Sequence, residues 1–497
     1  MISIAAKDCY NSTILLRFCK ALMLIWLVIL YLMISIGIGL YAATRVHNVK
    51  DYVMAGRHLP LYVVTATVFA TWFGAETVLG ISTKFVQQGL RGIVEDPFGA
   101  SMCLILVGTF FAAKLYKMNL ITIGDYYRKR YNRSVEVLTS LAIIASYLGW
   151  VSAQITALGL VFSFITQGAI SPSEGMVVGA GIVLVYTLFG GMWSVALTDA
   201  FQMTIIVVGM SYLAWLLSGI AGGAGMVIDH AAHANKLIFW PQLETRDVLA
   251  FIGAAVTMML GSIPQQDVFQ RVMSAKNEKT AVHGALLGGI LYFLFAFIPI
   301  FLAYSATLID PIMVATLIDE NAQLILPTLI MNHTPVFAQG MFFGALLAAI
   351  MSTASGTLLA PSVTFTENIL KGIIGHQSDR RFLWTMRVVV VCFAVAVTLF
   401  ALKSTSSIYS MVGNAYKVTL VAAFIPLVCG LYWKRANTQG ALFAIAAGLS
   451  SWLLLEIFNP EGLWPPQLAG LLMSATGMLV GSLLPDLKAP TPSCSSN

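Results

Sequence analysis

Long apolar runs, separated by short polar connections, dictate what this chain can become. Reading each run of at least about 18 apolar residues as one bilayer crossing gives about thirteen spans. They lie near 21–43, 61–85, 93–116, 135–167, 173–190, 192–219, 247–271, 280–307, 336–370, 383–402, 406–433, 438–458 and 464–484. With 58% hydrophobic and only 10% charged residues, no water-soluble domain can hide so much apolar surface. The expected fold class is therefore an all-α polytopic membrane protein. The run 21–43 is too long for the apolar part of a signal peptide and lacks a small-residue cleavage site, so it is read as a retained span.

Charge orients the spans. The net charge of +6 is concentrated in alternate connections: Arg45, Lys50 and Arg57; Lys114, Lys117 and Arg128 to Arg133; Arg271, Lys276 and Lys279; Lys371, Arg380, Arg381 and Arg387; Lys434 and Arg435. The opposite connection 308–334 holds Asp310, Asp319 and Glu320 and neither lysine nor arginine. By the positive-inside rule the clustered side is cytoplasmic, with the N-terminus outside and the C-terminus in the cytoplasm, as expected of an inner-membrane protein. Such clustering argues for topology rather than nucleic-acid binding. Cys9, Cys19, Cys103, Cys392, Cys429 and Cys494 show no CxxC and no ligand spacing, so they imply neither a disulfide framework nor a metal site. The phosphate-binding pattern GxxxxGK[ST] is absent, which speaks against an ATP-driven pump.

Two spans look interrupted. ATWFGAETVLG places Gly74, Ala75 and Glu76 inside span 61–85, and GSIPQQD places Gly261, Pro264 and Asp267 inside span 247–271. Such residues are costly at mid-membrane depth unless they line a protein cavity. Five spans apart, the two run in opposite directions, the mark of two inverted five-helix units with a solute site where the breaks meet. The expected division is 1–44 for a leading segment and helix, 45–220 and 221–433 for the two units, and 434–497 for two further helices and a tail.

The stretch 344–368 carries Ser352, Thr353, Ser355, Thr357, Ser362, Thr364 and Thr366 inside an apolar segment. If it is helical, the Ala349 carbonyl and the Ser352 and Thr353 hydroxyls converge on one face, a set of neutral hard oxygens suited to a small hard cation. The competing reading is that these hydroxyls bond back to their own helix or bridge to neighbours.

Six stretches together resemble the sodium/solute symporter family: DYVMAGRHLP at 51–60, ATWFGAETVLG at 70–80, GGMWSVALTDAFQ at 190–202, GSIPQQDVFQRVMSA at 261–275, AAIMSTASGTLL at 348–359 and IPLVCGLYWKRANTQGA at 425–441. The patterns look closest to the choline-carrier and related bacterial branches. The resemblance implies a LeuT-type five-plus-five inverted repeat and symport driven by Na+. It also implies a sodium site made of the Ala70, Phe73 and Ala349 carbonyls with the Ser352 and Thr353 hydroxyls. Asp199 lies, by the same resemblance, near a second ion in members that use two, and Ser355 could join it. Gly356 stands where such members tend to carry another hydroxyl, which leaves the second ion open.

Candidates for the solute pocket are Trp72, Glu76, Trp150, Gln154, Ser262, Gln265, Gln266 and Tyr409. Aromatic faces suit an ammonium group through cation–π attraction. Choline carriers have a tryptophan where this chain has Gln265, which weakens a choline reading. Lys417, well inside an apolar span, needs a partner: either it pairs with Glu76 or Asp267, or it binds a solute carboxylate. The expected function is sodium-coupled import of a small polar organic solute (amino acid, quaternary amine or carboxylate) without chemistry, hence not an enzyme. The rivals are a proton-coupled or uncoupled carrier and a transporter-like sensor; the short Pro- and Ser-rich tail after 484 weakens the sensor. The solute and the lipid bilayer are the expected partners, nucleic acid is not, and a monomer suffices.

Overall fold

Polar residues between the apolar runs start the helices. The side chains of Asn132, Asn277 and Asn437 accept the N–H groups of Val135 (3.0 Å), Thr280 (2.9 Å) and Gly440 (2.8 Å), and Ser171 and Glu174 form a reciprocal capping box. Each satisfies donors that a helix start leaves free. The resulting computed structural model describes residues 2–375 and 377–485, with side chains from residue 22 onward. The side chains of Cys9 and Cys19, and the tail beyond Pro485 with Cys494, lie outside the described residues.

The described secondary structure is helical apart from one isolated bridge between Leu59 and Ala275. Among the described residues, ten helices are long and apolar enough to cross a membrane, or eleven when the bent pair Thr245–Gly261 and Gln266–Met273 is taken as one span. The chain is a multi-pass membrane protein. Thirteen is not reached by this count, in which two stretches joined across a kink count as one helix. Pro172–Ile220 covers both 173–190 and 192–219, and it breaks between them at Gly191, whose non-helical φ of 50° and ψ of −136° suit a residue without Cβ. Glu76–Lys117 likewise joins the second half of span 61–85 to span 93–116. Connection 308–334 is not plain loop, since it folds into helices Pro311–Glu320 and Ile325–His333.

Burial sorts the helices into centre and rim. In Val336–Ile374 the apolar window is 94% buried, against 22% in Thr438–Phe458 and 28% in Asp379–Lys403. The hydroxyl-rich helix is therefore the axis around which the others pack, and the rim helices offer their apolar faces to lipid. Polar side chains concentrate where lipid cannot reach.

One end of the bundle is tied down by a short helix, Ile123–Arg130, started by a capping box of Thr122 and Asp125. Its Tyr127 and Tyr126, with Tyr131 just beyond, donate to the carbonyls of Ala423 (2.9 Å), Leu427 (3.2 Å) and Pro426 (2.8 Å), and Arg130 donates to Gly430 O at 2.8 Å. Pro426 lacks the N–H that would serve an earlier carbonyl, and the wide turns at Leu420–Phe424 disturb the regular ladder there. Gly430 lies under this cluster: a Cβ would stand 2.3 Å from Tyr126 Oη and 2.9 Å from Tyr131 Oη. Gly430→Ala should overpack this clasp at a cost of about 1–3 kcal/mol. The expected result is a lowered apparent melting temperature, measured by intrinsic fluorescence in detergent. Gly181→Ala is the control that leaves the transition in place, because a Cβ there meets nothing within 4 Å. An unchanged transition in Gly430→Ala would refute the packing argument.

Candidate functional site

The first break lies at Ala70–Gly74, between helix Leu61–Phe69 and the wide-turned stretch Glu76–Ile81. The Gly74 N–H turns back to Trp72 O at 2.8 Å instead of continuing a ladder to Ala70. Thr77 Oγ1 also donates to Trp72 O, at 2.6 Å. The Ala70 carbonyl is left to find partners outside its own helix, and it meets the hydroxyl helix.

There the two readings of the hydroxyl stretch separate. Thr357, Ser362, Thr364 and Thr366 donate to carbonyls one turn earlier at 2.7–3.0 Å, and Ser355 turns to Ser352 O at 2.9 Å. These five serve their own helix. Ser352 and Thr353 instead reach the Ala70 carbonyl, at 3.4 and 3.3 Å. Both distances are long for O–H···O hydrogen bonds, which cluster near 2.7–2.8 Å. They match ligand edges: oxygens in neighbouring octahedral positions about 2.4 Å from a cation of this size stand about 3.4 Å apart. Ser352 also donates to Asp199 Oδ1 at 2.6 Å, so its one proton is committed there and a lone pair is free on the Ala70 side. The Ser352 and Ala70 oxygens thus face one another without a proton between them, while the Thr353 hydroxyl donates to Ala70 O at 3.3 Å. Phe73 and Ala349 are fully buried beside this point, in the break and one turn before Thr353.

Asp199, fully buried, accepts from Ser352 on one oxygen and from Thr67 on the other. Arg271 Nε donates to Thr67 Oγ1 at 3.1 Å, and its terminal nitrogens lie 3.7 Å from Asp199 and 3.5 Å from Asp267. Arg271 is 1% exposed, which corrects its reading as a solvent-side topology charge. Ser355 is not drawn to Asp199 by a hydrogen bond.

On the other side of the break stands Glu76, 1% exposed. Gln154 Nε2 donates to it at 2.6 Å and Trp150 Nε1 lies at 3.4 Å, while Gln154 Oε1 accepts the Ala75 N–H at 3.0 Å. Trp72 donates to Tyr416 Oη at 3.0 Å; Tyr416 meets Trp150 edge-on at 5.2 Å, and Trp150 stacks on Tyr147 at 5.8 Å. Glu76 has no ion-pair partner among the described residues. Gln265 heads the second half of the other broken helix, which bends by 46°, and donates to Ser146 at 2.9 Å and Thr419 at 3.3 Å. Ser262 sits in that break with its hydroxyl buried and unpartnered.

Three expected pocket residues lie elsewhere. Gln266 Oε1 accepts the Ile123 N–H at 2.8 Å, so it anchors the clasp helix. Tyr409 packs over Gly80, donates to Gly92 O at 3.2 Å and lines two cavities of about 470 and 460 Å³ away from the breaks. Lys417 pairs with Glu456 at 3.2 Å, not with Glu76 or Asp267, because its side chain points toward helix Thr438–Phe458. Sequence reasoning missed Thr67, Tyr147 and Tyr416. An aspartate and an arginine four residues apart, Asp267 and Arg271, were a readable signal for one buried pair.

Gly74 joins the two halves of the site: a Cβ there would lie 2.6 Å from Thr353 Oγ1, 2.7 Å from Glu76 Oε2 and 3.0 Å from Gln154 Oε1. At about 1–3 kcal/mol for an overpacked position, Gly74→Ala should lower the apparent melting temperature of the purified protein in detergent. An unchanged transition would count against the shared wall.

Comparison with known proteins agrees with this architecture. The chain is 30% identical over 463 residues to the high affinity choline transporter 1 of Homo sapiens, covering 88% of this chain and 77% of that one. It is 27% identical over 467 residues to the sodium/pantothenate symporter of Escherichia coli (strain K12), covering 91% and 94%. A solved Na+-coupled sialic acid symporter, in a substrate-bound outward-open state, superposes with a TM-score of 0.80 at 20% identity over 92% of this chain and 96% of that one, so the fold is LeuT-like. The model of the sodium:solute symporter family matches residues 52–448, and the chain belongs to that family.

Proposed function

We propose that the chain is a secondary active symporter that couples inward sodium movement to import of a small organic solute by alternating access. The observation that carries this reading is the Ala70 carbonyl at the break, facing the Ser352 and Thr353 hydroxyls at 3.4 and 3.3 Å. Sodium is held by the Ala70, Phe73 and Ala349 carbonyls and the Ser352 and Thr353 hydroxyls, which joins the broken helix to the central one. The ion must favour the solute-competent state for coupling to follow. The site sits between two inverted five-helix units, 45–220 and 221–433, in an inner-membrane protein whose N-terminus is outside and C-terminus cytoplasmic; the alternating cationic clusters support that orientation.

Of the three solute classes, an amine fits best. Glu76 is a buried carboxylate with two neutral donors and no cationic partner among the described residues, and Trp72, Trp150 and Tyr416 bring aromatic faces beside it. A solute ammonium would meet both needs at once. Lys417, already paired with Glu456, gives no support to a solute carboxylate.

The test is a solute screen in proteoliposomes with and without an inward sodium gradient. An amine should accumulate only with the gradient, and Ser352→Ala or Thr353→Ala should each raise the half-saturating sodium concentration about tenfold, the worth of one lost ligand at about 1.4 kcal/mol. Accumulation indifferent to sodium would refute the coupling.

A further inference from the structure

We propose that Arg271 is the resident cation of the Asp199 carboxylate, so that the chain binds one sodium ion and leaves no place for a second beside Asp199. The inference rests on the sodium reading above and adds to it the ion count.

A buried carboxylate inside a membrane protein needs a compensating positive charge. Asp199 has one built in. The guanidinium of Arg271 stands 3.7 Å from Asp199 and 3.5 Å from Asp267 and is tied to Thr67, which itself donates to Asp199. Room for it is made by Gly356, where a Cβ would lie 2.1 Å from Arg271 Nη2 and 2.6 Å from Nη1. The side chain from helix Gln266–Met273 thus covers the backbone of the hydroxyl helix one turn beyond Ser352 and Thr353. Ser355, the next hydroxyl, is engaged with Ser352 O. The Asp199 oxygens are engaged by Ser352 and Thr67, Thr67 accepts from Arg271 Nε, and Arg271 Nη2 faces Asp199 at 3.7 Å as a charge contact without a hydrogen bond.

The charges give the same count. Asp199 and Asp267 carry two negative charges and Arg271 one positive, so a single sodium ion at Ala70, Ser352 and Thr353 neutralises this cluster, the Glu76 charge across Gly74 being the one the proposed function leaves to the solute ammonium. Asp199 then acts on that ion through Ser352: by taking the hydroxyl proton at 2.6 Å it keeps the serine lone pair aimed at the Ala70 side. Asp199 and Arg271 are positioning residues in this scheme.

The experiment is equilibrium binding of radiolabelled sodium to the purified full chain in detergent, read as ions per chain. One ion per wild-type chain, with a Hill slope of one, is expected. Arg271→Gln should raise the count to two, because the carboxylates then lack their fixed cation, and Arg271→Lys should restore one. Two ions per wild-type chain would overturn this inference while leaving sodium coupling intact. No saturable binding by wild type would overturn the coupling and this inference with it. If Arg271→Gln does not fold, the wild-type count still decides; if it folds and binds one ion, the inference is wrong.

Discussion

The carbonyl of Ala70 organises the middle of this protein. Breaking a helix inside a membrane strands backbone acceptors where no water can serve them, and each such group costs free energy unless protein supplies a partner. Here the loss is absorbed in three ways: Thr71 turns back to Thr67 O, Thr77 and Gly74 take up Trp72 O, and Ala70 O is left facing Ser352 and Thr353. Because the Ser352 proton goes to Asp199, its contact with Ala70 O sets oxygen against oxygen, while Thr353 donates there at 3.3 Å. These contacts join the break in one helix to the axis of the bundle.

Charge inside the bundle is met in different ways. Arg271 lies between Asp199 and Asp267, and the half-buried Lys417 has Glu456, which also accepts from Trp452 at 3.2 Å. Glu76 and Asp96 are buried with neutral donors alone. Charge left uncompensated at the junction of two broken helices is best understood as awaiting something mobile. In the proposed function that role falls to the solute, and the sodium ion one side chain away, across Gly74, shares its wall.

The sequence reading reached some residues and not others for physical reasons. Ser352, Thr353 and Ala70 stood out because hydroxyls and a Gly-rich interruption are expensive in apolar runs. Equal-looking hydroxyls at 357, 362, 364 and 366 could not be separated from them, since a back-bonded threonine and one reaching across have the same local sequence. Lys417 was recognised as needing a partner, but the partner sits 39 positions along the chain on a rim helix, and only packing reveals which carboxylate it faces. Arg271 was counted with the charges of a connection because it lies near a span end; its burial depends on the gap over Gly356, which no local pattern displays. The kink at Gly191, where the backbone leaves the helical region between 173–190 and 192–219, lies in a Gly-Gly pair that hydropathy alone reads only as a gap between apolar runs.

What the chain alone determined was its solvent and its interruptions. Hydropathy is a property of each run taken by itself, so the all-helical membrane class, the positions of both breaks and the family motifs were readable residue by residue. What only the tertiary structure decided was partnership. Which oxygen meets which hydroxyl, which cation serves Asp199, and which glycine must lack a Cβ all depend on helices distant in sequence lying within a few ångströms of each other, and that proximity is a consequence of packing rather than of any local code.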